Sequence, residues 1–163
     1  MARVPSPEPR ERSTIPPMRI YLACTIRGNR DALAIVRALC DRLEHHGHDV
    51  LTRRFLDDDV DVKEGQLTER DVFLRDIAWL DACDALVAEA SGSSYGVGFE
   101  VGYVLGRAER TGQRVYLLYD EARRPRISRM IPGAAHPACL TMGYRTTGDV
   151  VRFVDEHFGR RAG

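Results

Sequence analysis

Lysine is nearly missing from this chain: Lys63 stands alone, and arginine supplies the rest of the 24 basic side chains, which 24 acidic ones cancel. The zero formal charge argues against a protein held on a nucleic-acid polymer or an anionic membrane by its overall field. The arginines are scattered along the sequence instead of gathered on one face, so the skew reads as base composition and not as function. Cysteine is sparse too. Cys24, Cys40, Cys83 and Cys139 form no C-x-x-C pair, which puts zinc and disulfide scaffolds behind buried thiols of a reduced, cytoplasmic protein. No apolar run is long enough to span a bilayer, and the first seventeen residues carry proline and charge where a signal peptide needs an apolar core. Residues 1–17 therefore read as a disordered tail and residues 18–160 as one domain, long enough to bury a core of its own.

Strand and helix signals alternate along that domain. Residues 19–25 form a short apolar strand, and residues 31–46 place Leu33, Val36, Leu39 and Leu43 at helical spacing before Gly47 ends the run. A second strand is expected over 49–52, then a polar, acid-rich loop over 53–65 with Asp57, Asp58 and Asp59. Thr68 followed three residues later by Asp71 is a helix start, and that helix runs to about Cys83. Further strands are expected over 84–88, 114–119 and 138–142. Helices are expected from about Tyr95, over 149–158 and, as a short segment, over 125–131. Strands separated by helix-length segments imply βαβ units. The expected fold is α/β: a single Rossmann-like, flavodoxin-like domain with a five-stranded parallel sheet and helices on both faces.

Three segments carry chemistry-bearing residues. After the first strand, Thr25, Ile26, Arg27, Gly28, Asn29 and Arg30 form a turn ahead of a helix, where backbone amides, a hydroxyl and arginine can cradle a phosphate. The second segment runs from Ser94 through Gly96 and Gly98 to Glu100, a small-residue turn opening a helix. Its glycine spacing is not that of a dinucleotide fingerprint. Glu100 lies between Phe99 and Val101, where an unpartnered carboxylate would be costly to bury; a structural ion pair with an arginine is the competing reading. Gly102 and Gly106, one turn apart, suggest close packing against the sheet or another helix. The third segment sets Asp76 on one helix face with Trp79 and Leu80, with Arg75 and Asp81 directed outward. Two carboxylates meeting at the sheet's edge suit cleavage of a glycosidic bond. His45, His46 and His48 straddle a helix stop and read as a solvated helix end; no metal and no cofactor is expected.

In these segments the chain resembles the 2'-deoxynucleoside 5'-phosphate N-hydrolases, a branch of the nucleoside 2-deoxyribosyltransferase superfamily. Four matches in the same order carry the resemblance: Tyr21 with Ile26-Arg27-Gly28, Asp76 with Trp79-Leu80, Ser94-x-Gly-Val-Gly-x-Glu100, and Ser128-x-Met-Ile-x-Gly-Ala-Ala135. It implies that Glu100 is a nucleophile forming a covalent glycosyl-enzyme, Asp76 the second essential carboxylate and Tyr21 a tyrosine near both sugar and nucleophile. It further implies that Thr25, Ile26, Arg27, Gly28, Arg30, Ser94 and Gly96 bind the substrate phosphate, joined by Ser128 from the neighbouring subunit of a homodimer with shared sites. The chain departs from the family pattern at Cys24-Thr25, at Ser93 and at Pro132, and Arg54 stands where some relatives place a histidine near the base.

The implied activity is hydrolysis of (2'-deoxy)nucleoside 5'-monophosphates to free base and sugar 5-phosphate, with no nucleic-acid polymer, membrane or cofactor as partner. Deoxyribosyl transfer between bases is the alternative using the same Glu100. A non-catalytic nucleotide sensor is the other, and retention of Tyr21, Asp76 and Glu100 together weighs against it.

Overall fold

Five short apolar runs pair side by side in the computed structural model, which describes residues 15–25, 32–92 and 94–159. The strands are β1 (Arg19–Ala23), β2 (Asp49–Val50), β3 (Ala85–Glu89), β4 (Arg114–Asp120) and β5 (Cys139–Tyr144). All are parallel, in the order β2-β1-β3-β4-β5. The expectations for residues 1–14 and for Ile26, Arg27, Gly28 and Arg30 lie outside the described residues.

Six helices cover the sheet: α1 (Leu33–His45), α2 (Val60–Glu64), α3 (Glu69–Ala82), α4 (Tyr95–Leu105), α5 (Ala108–Thr111) and α6 (Thr147–Phe158). Successive strand residues point to opposite faces, and β1 and β3 use this fully. Ile20, Leu22, Ala85 and Val87 pack with Val36, Leu39 and Leu43 of α1 and with Val150, Phe153 and Val154 of α6. Tyr21, Ala23, Leu86 and Ala88 pack on the other face with Leu80 of α3 and Val97, Val101 and Val104 of α4. β3 is buried along its whole length, as a central parallel strand covered on both faces must be. Helices α3 and α6 begin with full capping boxes, Thr68 with Asp71 and Thr146 with Asp149, which satisfy amides that an open helix end leaves unpaired.

The order 2-1-3-4-5 puts the topological switch between β1 and β3. From there the chain winds outward in both directions, and the crevice at the strands' carboxyl ends is where such sheets take ligands. Gly92, just past β3, lies so close to the turn after β1 that a Cβ there would collide with Thr25 Oγ1. No helix among the described residues is long and apolar enough to cross a membrane.

Several local expectations needed correction. The acid-rich stretch over 53–65 is not an open loop: it holds a 3-10 turn (Arg53–Leu56) and α2, and it buries Phe55, Leu56, Val60 and Glu64. Asp57, Asp58 and Asp59 remain solvent-facing, paired with Lys63 and Arg37. The segment expected as helix over 125–131 is a 3-10 turn over Glu121–Arg126 followed by tight turns, because Pro125 gives no amide for a longer helix. His48 is buried, accepting from the Met18 amide at Nδ1 and donating to the Phe158 carbonyl through Nε2, and only the neighbouring His45 and His46 belong to the helix end. The four cysteines form no disulfide with one another; Cys40 and Cys83 are buried and the other two half-buried.

Candidate active site

The face of the sheet under α3 and α4 brings three of the expected residues together. Tyr21 sits in the middle of β1, fully buried, and its phenol donates to Glu100 Oε1 over 2.7 Å. Glu100 reaches that position from the second turn of α4, whose Val97, Val101 and Val104 anchor the helix to the sheet. Asp76, from the middle of α3, shares with Glu100 a cleft of about 220 Å³ whose walls are Val72, Phe73, Ile77, Leu80 and Phe99. Among the described residues no arginine pairs with Glu100, so the structural ion pair considered from the sequence is not formed there. Its partner is a phenol.

Burial in this apolar cleft pushes the Glu100 carboxyl up to about 7, opposed by the Tyr21 hydrogen bond and reinforced by the negative charge of Asp76. The Tyr21 phenol is driven far upward, first by burial and then by Glu100 and Asp76, so it stays a donor at any ordinary pH. Asp76 is also raised by burial, although Arg75 works in the opposite direction.

The electrostatics around Asp76 were not anticipated from the sequence. Arg75 does not look outward. Its Nε and Nη2 both lie 2.8 Å from Asp76 Oδ1, while Nη1 and Nη2 grip Glu64 Oε1 and Oε2 at 2.7 and 3.0 Å. The guanidinium lies over both Phe55 and Trp79, 5.0 Å from each ring centroid, where the two rings meet edge to face. Arg54, the residue expected near the base, comes within 3.7 Å of the same Glu64. Glu64 itself is buried. The signal available for this cluster was the four-residue step from Arg75 to Trp79 on one helix face, together with a Phe55-Leu56 pair too apolar for a solvated loop.

The expected phosphate-binding residues gather at the switch point in part. Ser94 caps α4, its Oγ accepting from the Val97 amide at 3.3 Å, and Gly96 follows in the first turn with its Cα beside that hydroxyl. Thr25 lies across the crevice with a buried Oγ1 that has no hydrogen-bond partner among the described residues. Buried hydroxyls are normally satisfied, so this one marks a place where a polar ligand atom would be welcome. Ser128 is elsewhere: it is exposed on the β4–β5 connection, its Oγ accepting from the Met130 amide, and it does not line the cleft. A further buried carboxylate, Glu89 at the end of β3, accepts from Tyr144 at 2.9 Å and from Ser91, which in turn accepts from the Asp120 amide and so ties the β3–α4 turn to β4.

The helix α4 presents an unexpected outer face. A Cβ at Gly98 or Gly102 would meet nothing within 4 Å, so these glycines do not serve packing against the sheet. Beside them Tyr95 is 99% exposed, and Phe99 and Phe73 stack edge to face with 6.3 Å between centroids while remaining half open to solvent.

A doubly wound parallel sheet with a half-buried carboxylate pair beside its switch point defines an α/β domain with a candidate active site at the strands' carboxyl ends. Comparison with known proteins gives this class a family. The sequence model of the nucleoside 2-deoxyribosyltransferases matches residues 20–151. A Thermofilum pendens protein provisionally named 2'-deoxynucleoside 5'-phosphate N-hydrolase 1 is 41% identical over 138 residues, 85% of this chain and 93% of that one. The rat 5-hydroxymethyl-dUMP N-hydrolase is 31% identical over 144 residues, covering 87% and 85%. The structure of a Clostridium botulinum CMP N-glycosidase shares the fold with a TM-score of 0.61 and 18% identity, over 85% of this chain and 98% of that one. The chain belongs to the nucleoside 2-deoxyribosyltransferase family.

Proposed function

We propose that this protein hydrolyses the N-glycosidic bond of 2'-deoxynucleoside 5'-monophosphates, releasing the base and deoxyribose 5-phosphate. The observation that carries the reading is Glu100: a buried carboxyl near half-ionised at neutral pH, held by one phenol, facing a second carboxylate across an apolar cleft beside the Ser94 turn. The names of the relatives, which describe nucleotide N-hydrolases, agree with it.

Tyr21 occupies Glu100 Oε1, which leaves Oε2 to attack the anomeric carbon. The C–N bond electrons depart with the base, which takes a proton from the Asp76 carboxyl or from solvent, and the sugar becomes esterified to Glu100. Water then attacks the same carbon, the ester oxygen returns to Glu100, and the water's second proton passes to a base such as Asp76 or to solvent. Ser94, Thr25 and the amides of the α4 start would anchor the 5'-phosphate away from the breaking bond. That remote binding energy positions the sugar against Glu100. Arg27, Gly28, Ile26 and Arg30 belong to the same proposed phosphate site.

The functional unit is proposed to be a homodimer. Support comes from the open apolar face of Tyr95, Gly98, Phe99 and Gly102 beside the cleft, and from Ser128, which is exposed on a segment that also projects Met130. Both suit a second copy laid across α3 and α4, lending Ser128 to its neighbour's phosphate.

The test is a panel of nucleosides and their 5'-monophosphates, with free base quantified by chromatography for the unmodified protein and Glu100→Gln. Monophosphates should be cleaved and nucleosides should be far poorer substrates, with no turnover by the variant. Equal use of nucleosides, or transfer of the sugar to an added base faster than to water, would point to a transferase. Retained activity in Glu100→Gln would remove the covalent route.

A further inference from the structure

Asp76 is a short side chain with two equivalent oxygens, and its neighbours fix which one meets a substrate. Both guanidinium contacts from Arg75 fall on Oδ1, at 2.8 Å each, so Oδ2 is the oxygen left for a ligand in the cleft. Arg75 is itself immobilised from three sides: a bidentate grip on buried Glu64, the Phe55 ring and the Trp79 ring. A guanidinium used this way is a rigid fork, which a lysine cannot imitate.

We infer that Arg75 is a positioning residue for this site: locked by Glu64, Phe55 and Trp79, it holds the Asp76 carboxyl by one oxygen and turns the other toward the cleft shared with Glu100. The inference rests on the nucleotide N-hydrolase reading of that cleft and assigns a role to a residue outside it. Arg75 does not line the cleft, so its influence passes through Asp76.

The charges that face Asp76 set the sign of the effect. Arg75 adjoins it on α3, Glu64 approaches from α2, Arg54 from the 3-10 turn, Glu100 from α4 and the neutral Tyr21 from β1, while Glu69 lines the same cleft. Removing the Arg75 charge leaves Asp76 among three carboxyl groups with, among the described residues, Arg54, half exposed, to offset them. Protonation of Asp76 then becomes easier. Whichever limb of the pH profile Asp76 governs must move to higher pH.

The experiment is a double-mutant cycle on kcat and KM for a cleaved monophosphate. Arg75→Gln should lower kcat by roughly 10- to 100-fold, the scale of a misplaced catalytic group, with KM little changed. In an Asp76→Asn background the same replacement should cost almost nothing further, because a residue acting through Asp76 loses its route. Arg75→Lys should restore the position of the pH limb while recovering only part of kcat. Because Arg75→Gln leaves buried Glu64 with only its longer contact to Arg54 among the described residues, the paired variant Arg75→Gln with Glu64→Gln, which removes both charges, is measured beside it. Losses that simply multiply in the cycle, or an unmoved pH limb, would assign Arg75 to structure alone while leaving the proposed reaction standing. Titration of the aspartate carboxyl carbons by NMR reads the same linkage without substrate. The Asp76 resonance should titrate at higher pH, by about one unit, in Arg75→Gln. If the unmodified protein cleaves no monophosphate, the functional reading falls, and this titration alone decides whether Arg75 governs Asp76.

Discussion

Replacing Tyr21 by phenylalanine removes one oxygen and one hydrogen bond, and the structure fixes the direction in which Glu100 must respond. The phenol donates to Glu100 Oε1 at 2.7 Å and favours the ionised carboxylate; without it, burial and the Asp76 charge are opposed by nothing on the Glu100 side chain itself. A hydrogen bond to a charged group contributes about 1.5–3 kcal/mol, which corresponds to about 1–2 pH units. Glu100 starts at about 7, so the acid limb of kcat/KM in Tyr21→Phe should rise by that amount. At pH 7 the ionised fraction of the nucleophile then falls roughly 5- to 50-fold, and the rate with it. The loss should be recovered as the pH approaches 9 and Glu100 ionises again. Tyr21 adds no limb of its own, since its phenol is pushed well above the ordinary range.

The assay is base release from a monophosphate at low substrate concentration across pH 5 to 10, since kcat/KM reports the free enzyme. The second ionisation of the substrate phosphate, near pH 6, is common to both proteins and cancels in the comparison. Asp76→Asn supplies the opposite sign: it removes a like charge from Glu100 and should move the limb downward in whatever activity remains. A Tyr21→Phe profile lowered equally at every pH would mean that the phenol acts on the transition state and not on the ionisation of Glu100. A limb displaced to lower pH would refute the electrostatic reading altogether.

The remaining predictions concern stability, the switch-point turns and assembly. Glu100 binds its proton more tightly folded than unfolded, so its contribution to stability is fully present below about pH 4.5 and lost as pH rises toward 7. Glu100→Gln should therefore stabilise the protein at pH 8 by about 2–3 kcal/mol, and hardly at all at pH 4, in denaturant titrations; equal effects at both values would show that the carboxyl is not desolvated. Gly92→Ala drives a methyl against Thr25 Oγ1, and should cost about 1–3 kcal/mol while raising KM for a monophosphate more than it lowers kcat. An unchanged melting temperature would show that the two turns are not in contact. Leu74→Glu, on the exposed α3 face near Phe73, should convert a dimer to monomers by light scattering, and a protein that is monomeric and fully active beforehand would remove the shared-site proposal.

How far the sequence carried the site depends on which contacts are local. Tyr21 and Glu100 could be placed because strand alternation and the Ser94 cap each fix a face within one element, and the sheet then brings the two together. Asp76 could be placed from its helical spacing to Leu80. Arg75 was assigned outward by the same spacing, and that failed because a guanidinium can fold over two adjoining rings while its neighbour on the helix faces a cleft. Burial of Glu64 could not be read from an acid-rich stretch, since it depends on a guanidinium eleven residues along the chain meeting it in space. Gly102 and Gly106 were read as packing glycines, but Gly102 faces open space: which surface a helix glycine faces depends on the rotation of α4, which Val97, Val101 and Val104 decide from the other side.

These same contacts explain how two carboxylates share an apolar cleft without destroying the fold. Burying an ion is costly unless it is paired and fully hydrogen-bonded. Glu64 and Asp76 meet that condition with Arg75 and Arg54, two negative charges against two positive ones, in a cluster that carries no net charge. Glu100 receives no cation from it, only the Tyr21 phenol, so the cost of its burial appears as proton affinity instead. The protein has thus compensated one carboxylate and left the other under-compensated. An under-compensated carboxylate gains most when its charge is consumed, and attack on an anomeric carbon that is becoming positive consumes it. In the proposed reaction this would concentrate reactivity on Glu100 because Arg75 faces Asp76, and a guanidinium introduced beside Glu100, as in Gly96→Arg, should pull its carboxyl down toward the ordinary range. The acid limb of kcat/KM would then move below pH 7, and kcat would fall even where Glu100 is fully ionised. A variant with the lower limb and an undiminished kcat would show that ionisation, and not the poor compensation of the charge, is all that the site requires of Glu100.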